Sequence, residues 1–513
     1  MRRYPALLSL LLGAVAALGF APLQLWPLTL VAFSGWLLLV HAAPSRRAAA
    51  WRGWTFGLGH FTINSNWIGH AFDLQDTMPH ALGYVAPPAL AVYLALFPAA
   101  AALAMWRWRG RRPDAAFALI AGAAWIATEW LRGWLFTGYP WDPLAVMWVP
   151  VFPVAWTAAL VGTYALGGLT IVAAGLLATV PRRRWPVAGA AAAVALLLAV
   201  QWVGYPDPFP TNPDYPDSLP RLVVVQPNVN QDERGEDDSD RVLAPLVRLS
   251  GRPAPYPRLI LWPEGVVRPY LEDGYPDWAY AGDDPRRMRR RLARLLGPRD
   301  TLLTGSTALA FGADGDISGA GNTVHALRPD GELHGRYAKA HLVPYGEYLP
   351  LRRVLEPIGL SRLVPGDIDF DAGPGPRNID VPGIGPVGVQ ICYEIVFSGH
   401  VVDPRHRPKL LFNPSNDAWF GAWGPPQHLA QARLRAIEEG LPIVRATPTG
   451  ISAIIGADGA LLAQLPLGRA GVLTLPLPSP QPPTLFAWAG NWLALIVALL
   501  MGSGAVAIRR RRR

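Results

Sequence analysis

Cys392 is the only cysteine in the chain, and it follows the apolar run Gly385 to Ile391 directly before Tyr393 and Glu394. A thiol at the end of a strand that enters a turn presents its sulfur at the sheet's edge, where the next backbone N–H can receive an oxyanion. Such a nucleophile needs a base to form thiolate and a cation to hold developing negative charge. Glu264, in Leu261-Trp262-Pro263-Glu264-Gly265 after another apolar run, is the candidate base. Lys339, within the stretch Tyr337 to Tyr348, is the candidate cation. The chain holds two lysines, Lys339 and Lys409, against 44 arginines, so a lysine here points to a need for a compact ammonium whose pKa can be shifted. Each residue also has a plainer reading: a surface carboxylate, an incidental charge, a buried structural thiol. Lys409, at the start of a strand, reads as a solvated charge.

Other chemistries find less support. One cysteine allows neither an internal disulfide nor a multi-cysteine metal site. His334, His341, His400, His406 and His428 show no metal-ligand spacing, and no glycine-rich phosphate loop is present, so neither a metal nor a cofactor is expected.

The elements that must position these groups form an α/β pattern. Short runs rich in Val, Ile and Leu at 221–226, 258–262, 301–305, 385–391, 409–413, 443–447 and 451–456 fit buried strands. Helices are expected over 284–296 and 426–439, the latter stopped by Gly440. Asp330-Gly331 and Asp458-Gly459 read as hairpin turns.

The remainder is a membrane protein's sequence. Of 513 residues, 51% are hydrophobic and 16% charged, and the mean hydropathy is +0.20. The net charge of +9 would raise nucleic-acid binding in a soluble protein, but its placement argues against that partner. Seventeen basic residues sit in five clusters, at 2–3, 46–52, 107–112, 182–184 and 509–513, and without them 29 basic residues face 37 acidic ones. The clusters punctuate apolar stretches near 5–21, 24–42, 52–70, 84–106, 114–136, 151–180, 186–204 and 485–508, which read as eight transmembrane helices. With a cytoplasmic N-terminus every cluster falls on the cytoplasmic side, and the loops near 21–23, 71–83 and 137–150 carry no Lys or Arg. The expected organisation is therefore a seven-helix domain at 1–204, a Pro- and Asp-rich linker at 205–220, a catalytic α/β domain at 221–484, a last span at 485–508 and a basic cytoplasmic tail at 509–513. The alternative for the first stretch is a cleaved signal peptide, with Ala14-Val15-Ala16 as the small-residue site. His70, Asp73, Asp76 and His80 read as an outer loop, or as a polar pathway in a transporter.

The order Glu264, Lys339, Cys392 in an α/β domain resembles the carbon–nitrogen hydrolase (nitrilase) superfamily. Seven spans before that domain and one after it resemble, within the superfamily, the bacterial apolipoprotein N-acyltransferase family. The likeness rests on Val225-Gln226-Pro227-Asn228, Trp262-Pro263-Glu264, Lys339 through Tyr348, Cys392-Tyr393-Glu394, Ser415 through Gly421, Gln427-His428, and Arg433 with Arg435. It implies a nitrilase-like αββα sandwich in the periplasm of a multi-pass inner-membrane protein whose termini are both cytoplasmic. It implies a phospholipid acyl donor, a diacylglyceryl-modified apolipoprotein acceptor, and ping-pong transfer through a thioester on Cys392. Glu264 would be the proton acceptor and Lys339 the oxyanion stabiliser, supported by Glu347, Tyr393, Glu394 and Trp419. Two positions depart from the family pattern: Pro448, where Asn is common, and Gly321, where an aromatic is common. The rivals are a membrane-anchored amidase or nitrilase acting on a small C–N substrate, and a transporter or scaffold with an inactive domain. The aromatic stretch 270–280 and the group Trp419, Phe420 and Trp423 read either as lids toward acyl chains or as ordinary packing.

Overall fold

The computed structural model describes residues 4–75, 78–179, 219–230, 239–280, 282–363 and 368–511. The stretch expected to span at 186–204 and the linker from Tyr205 through Ser218 lie outside the described residues.

Helices Pro5–Ala17, Trp26–His41, Arg46–Asn64, Leu82–Leu94, Leu96–Arg107, Ala115–Arg132 and Ala158–Thr179 form a bundle, joined late in the chain by Trp492–Arg510. Leu82–Arg107 is interrupted only at Ala95, which keeps right-handed dihedrals. Pro98 accounts for the interruption, because it has no N–H to offer the Leu94 carbonyl. Ala158–Thr179 kinks at Gly162, whose φ of 79° and close seat against Phe486 leave no room for a side chain. At Gly13 a Cβ would meet the Phe56 carbonyl oxygen at 2.0 Å, so a glycine there lets two helix backbones touch. Trp36 stacks on Phe56 with ring centroids 4.5 Å apart at the bundle's centre. Among the described residues, three helices are long and apolar enough to cross a bilayer, Leu82–Arg107, Ala158–Thr179 and Trp492–Arg510, while Pro5–Ala17 and Trp26–His41 are apolar but shorter.

Among the described residues the α/β part contains two six-stranded sheets. Its strands are β1 Arg221–Gln226, β2 Arg258–Leu261, β3 Thr301–Phe311, β4 Ile317–Leu327, β5 Leu333–Ala338, β6 Asn378–Val381, β7 Gly385–Val389, β8 Leu410–Pro414, β9 Ile443–Ala446, β10 Ser452–Ile455, β11 Leu461–Leu465 and β12 Gly471–Pro476. The spatial orders are β12-β1-β2-β3-β4-β5 and β11-β10-β9-β8-β7-β6. β1, β2 and β3 run parallel in one sheet, as do β7, β8 and β9 in the other. Asp330-Gly331 and Asp458-Gly459 do turn antiparallel pairs, with both glycines at positive φ.

Alternation within each strand divides the core. Leu222 and Val224 of β1 meet Val387, Val389 and Leu410 of the opposite sheet. Val223 and Val225 point the other way, onto Val242, Leu243 and Leu246 of helix Ser239–Ser250. Helix Gly424–Glu439 covers the second sheet with Leu429, Ala432 and Ala436, and buries Ala430, Leu434 and Ile437 in the membrane bundle's core. That one helix is at once the outer layer of the sandwich and its seat on the bundle. Its polar groups find partners there: Trp141 Nε1 donates to Gln427 Oε1 at 2.8 Å, and Glu438 Oε1 accepts from Thr163 N and Oγ1, both at 2.7 Å.

Candidate active site

β7 runs into Gln390 and Ile391, and the chain then turns through Cys392 with φ of +53°. A side chain in this left-handed region costs ~1–3 kcal/mol, so surrounding bonds must hold the turn. Glu394 does so from below. Its carboxylate accepts from Ile391 N at 2.6 Å, Ala340 N at 2.7 Å, His341 N at 3.0 Å and the Tyr337 hydroxyl at 2.8 Å. It therefore ties the Cys392 turn to the segment that carries Lys339. Burial pushes the Glu394 carboxyl up to about 7 against the pull of Lys339 and the backbone donors.

The three expected residues converge. Lys339 is 1% exposed, and its Nζ lies 2.8 Å from Glu347 Oε1 and 3.7 Å from Glu264 Oε1. Burial works against its ammonium, but Glu347, Glu264 and the Cys392 position raise its pKa above the ordinary lysine value. Glu264 accepts from Asn322 Nδ2 through Oε1 and from Asn416 N through Oε2, each at 2.7 Å. Glu347 also accepts from Val343 N at 2.9 Å, which fixes the loop after Lys339. Burial, followed by the charge of Glu264, pushes the Cys392 thiol well up, while Lys339 and the Asn416 N–H pull it down. The resting sulfur is thus a thiol, and a neighbouring base must take its proton before it can attack.

Of the other expected residues, Tyr393 donates its hydroxyl to Gly138 O, 3.3 Å away on a loop of the bundle. Trp419 is half-buried against the core between the sheets. Its neighbour Phe420 packs edge-on to Trp67 and Trp141, with centroids at 4.7 and 5.6 Å, so it is docked on the bundle. In the other aromatic stretch Tyr275 and Tyr280 stack on each other, while Trp278 stays 58% exposed. Gly321 has space for a side chain, because a Cβ there would meet Thr323 and Arg336 only at ordinary contact distance. Pro448 offers its carbonyl to Val229 N at 3.2 Å.

Sequence reasoning assigned no role to a second set of residues behind the thiol. Asp417, His428 and Arg445 are all fully buried, and Arg445 bonds both Asp417 and Asn413. Arg445 and the Asp417 carboxylate are paired directly; burial opposes the carboxylate, but the Arg445 guanidinium holds its pKa below the usual range. Asn322 and the Asn416 N–H, which hydrogen-bond Glu264, also had no role assigned, although Asn416 lies in the stretch Ser415 through Gly421. A backbone donor leaves no signal in residue type.

Comparison with known proteins places the two parts of the chain in families. Residues 12–176 match the Apolipoprotein N-acyltransferase N-terminal domain family, and residues 249–481 match the Carbon-nitrogen hydrolase family. An apolipoprotein N-acyltransferase of Rhodopseudomonas palustris is 35% identical across 97% of this chain and 94% of its own length. One from Caulobacter vibrioides is 35% identical across 98% and 94%, and one from Ralstonia nicotianae 34% identical across 99% and 94%. The two sheets are accordingly those of a nitrilase-like fold, set against a helical bundle. Related to these proteins from end to end, the chain belongs to the apolipoprotein N-acyltransferase family.

Proposed function

We propose that this enzyme moves an acyl chain from a phospholipid to the α-amine of the diacylglyceryl-cysteine at the N-terminus of apolipoproteins, through a thioester on Cys392. The observation that carries the reading is a buried thiol beside Glu264 and Lys339, seated on a bundle of apolar helices by helix Gly424–Glu439. Glu264 takes the thiol proton as sulfur attacks the ester carbonyl carbon. The Lys339 ammonium and the Tyr393 N–H hold the resulting oxyanion. Collapse breaks the ester C–O bond, and the leaving glycerol oxygen takes the proton from Glu264, releasing lysophospholipid. The amine then attacks the thioester, Glu264 accepts the amine's proton, and the thiolate leaves and is reprotonated. Two half-reactions through one thiol give ping-pong kinetics. Glu347 sets the lysine, Glu394 sets the turn, and Trp419 shapes the pocket.

In this reading the bundle is more than an anchor, because both substrates have their acyl chains in the bilayer. The domain limits expected from sequence, eight spans, cytoplasmic termini and a periplasmic catalytic domain are part of the proposal. Three sufficiently long apolar helices among the described residues and the arginine clusters at the ends of the apolar stretches support it. The test is N-acylation of a diacylglyceryl-cysteine peptide by purified wild type and Cys392→Ala, both checked for membrane insertion. An inserted but inactive variant supports the reading; an active one rejects it. Release of free fatty acid in place of peptide acylation would assign a hydrolase.

A further inference from the structure

We propose that His428 is a positioning residue for the nucleophile: by donating from Nε2 to the Cys392 carbonyl it holds the left-handed turn that presents the thiol. This rests on the reading of Cys392 as the nucleophile.

The contacts fix the direction of the bond. His428 Nε2 lies 3.1 Å from Cys392 O, and a carbonyl only accepts, so Nε2 carries a proton. On the other side of the ring Nδ1 lies 2.9 Å from an Arg445 terminal nitrogen, which only donates. The closer contact, to Arg445, makes Nδ1 the acceptor, and the ring is then neutral. Asp417 Oδ1, 3.2 Å from Nδ1, is bonded by the same Arg445 nitrogen, whose two hydrogens serve both neighbours. Burial and the Arg445 charge lower the His428 pKa to about 4, in keeping with a neutral ring.

The bond is not redundant. The second donor to Cys392 O is Asn413 Nδ2 at 3.3 Å, and that amide is engaged more closely with Gln390 O at 2.6 Å. Packing holds the imidazole in place, with Trp141 and Phe420 rings at centroid distances of 5.3 and 5.7 Å. Trp141 belongs to the bundle, so a membrane-domain side chain braces the residue that braces the nucleophile. Neither Nε2 nor Nδ1 is free to exchange a proton with substrate, which separates this role from general-base catalysis.

The experiment compares full-length wild type, His428→Gln and His428→Asn in phospholipid vesicles. A glutamine amide reaches the place of Nε2; an asparagine amide stops one methylene short. Two rates are read at Cys392: single-turnover acylation by phosphatidylethanolamine, and alkylation by iodoacetamide, which is specific because the chain has no other thiol. A misplaced reacting group costs on the order of 100-fold, so acylation should fall by about that factor in Asn while Gln stays within about threefold of wild type. Alkylation should follow the same ranking, and its pH profile should keep its shape in Gln. If Asn does not fold, His428→Leu, which lacks the donor, replaces it. Equal rates in Gln and the donor-less variant, whether both high or both low, overturn the proposal, as does a displaced pH profile in Gln. A wild type that is alkylated but takes no acyl group would reject the acyltransferase reading alone, with the alkylation rates still deciding the role of His428.

Discussion

Glu264→Gln separates the two effects of this carboxylate on the thiol. In the proposed mechanism Glu264 is the base that accepts the proton leaving sulfur; as a charge, it raises the thiol's pKa. Glutamine keeps the shape and removes both. The loss of a positioned base costs ~10²–10⁴-fold, about 3–5 kcal/mol in the barrier, so acylation by phospholipid should fall by at least 100-fold. Lys339 remains cationic in the variant, because Glu347 at 2.8 Å attracts it by about 6 kcal/mol at an effective dielectric near 20. With one repelling charge gone and the ammonium in place, the thiol pKa should fall and the thiolate fraction should rise. Alkylation by iodoacetamide at pH 8 should therefore become faster while acylation becomes slower. The amide must also turn its NH₂ toward either Asn322 Nδ2 or Asn416 N–H, at a stability cost of about 1–3 kcal/mol visible in thermal unfolding. Acylation within threefold of wild type, or slower alkylation alongside slower acylation in a folded variant, would refute this division of roles.

Arg445→Met should destabilise by about 3–5 kcal/mol, because it leaves the Asp417 carboxylate buried and unpaired; thermal unfolding in detergent measures it. Leu434→Ala should cost about 2–5 kcal/mol by opening a cavity where helix Gly424–Glu439 meets the bundle, with limited proteolysis reporting the loosened catalytic domain. The Glu394 carboxyl, raised to about 7, predicts an acid limb near pH 7 in the acylation rate, since only the ionised form accepts from all four donors around it. The effect of this group on stability runs the opposite way. Its folded pKa lies above the unfolded carboxylate value, so its contribution is greatest below the unfolded pKa and declines as pH rises through 7, which unfolding at pH 5 and pH 8 will read.

Most of the candidate site was legible in the sequence because it is made of rare residues at element ends. One cysteine and two lysines in 513 residues made Cys392 and Lys339 visible, and the run before Cys392 is strand β7. The parallel strands were legible as apolar runs because both of their faces are buried. β4, β5, β6, β11 and β12 were not, since they lie toward the sheets' edges and mix small, polar and partly exposed residues. Helix Gly424–Glu439 was legible in extent but not in role. Its residues facing away from the sheet, such as Ala430 and Leu434, bury against a domain more than 250 positions earlier, and periodicity carries no information about a partner. The support behind the thiol was hidden for the same reason: Asp417, His428 and Arg445 meet only when β8, β9 and that helix are assembled.

The most direct test is intact mass of the purified protein after incubation with phosphatidylethanolamine, for wild type and Cys392→Ser, followed by addition of a diacylglyceryl-cysteine peptide. The account predicts an acyl-sized adduct on wild type, none on the variant, and transfer of that adduct to the peptide's amine. Failure of the wild type to gain an acyl group from any phospholipid, or an adduct that discharges to water alone, would contradict it.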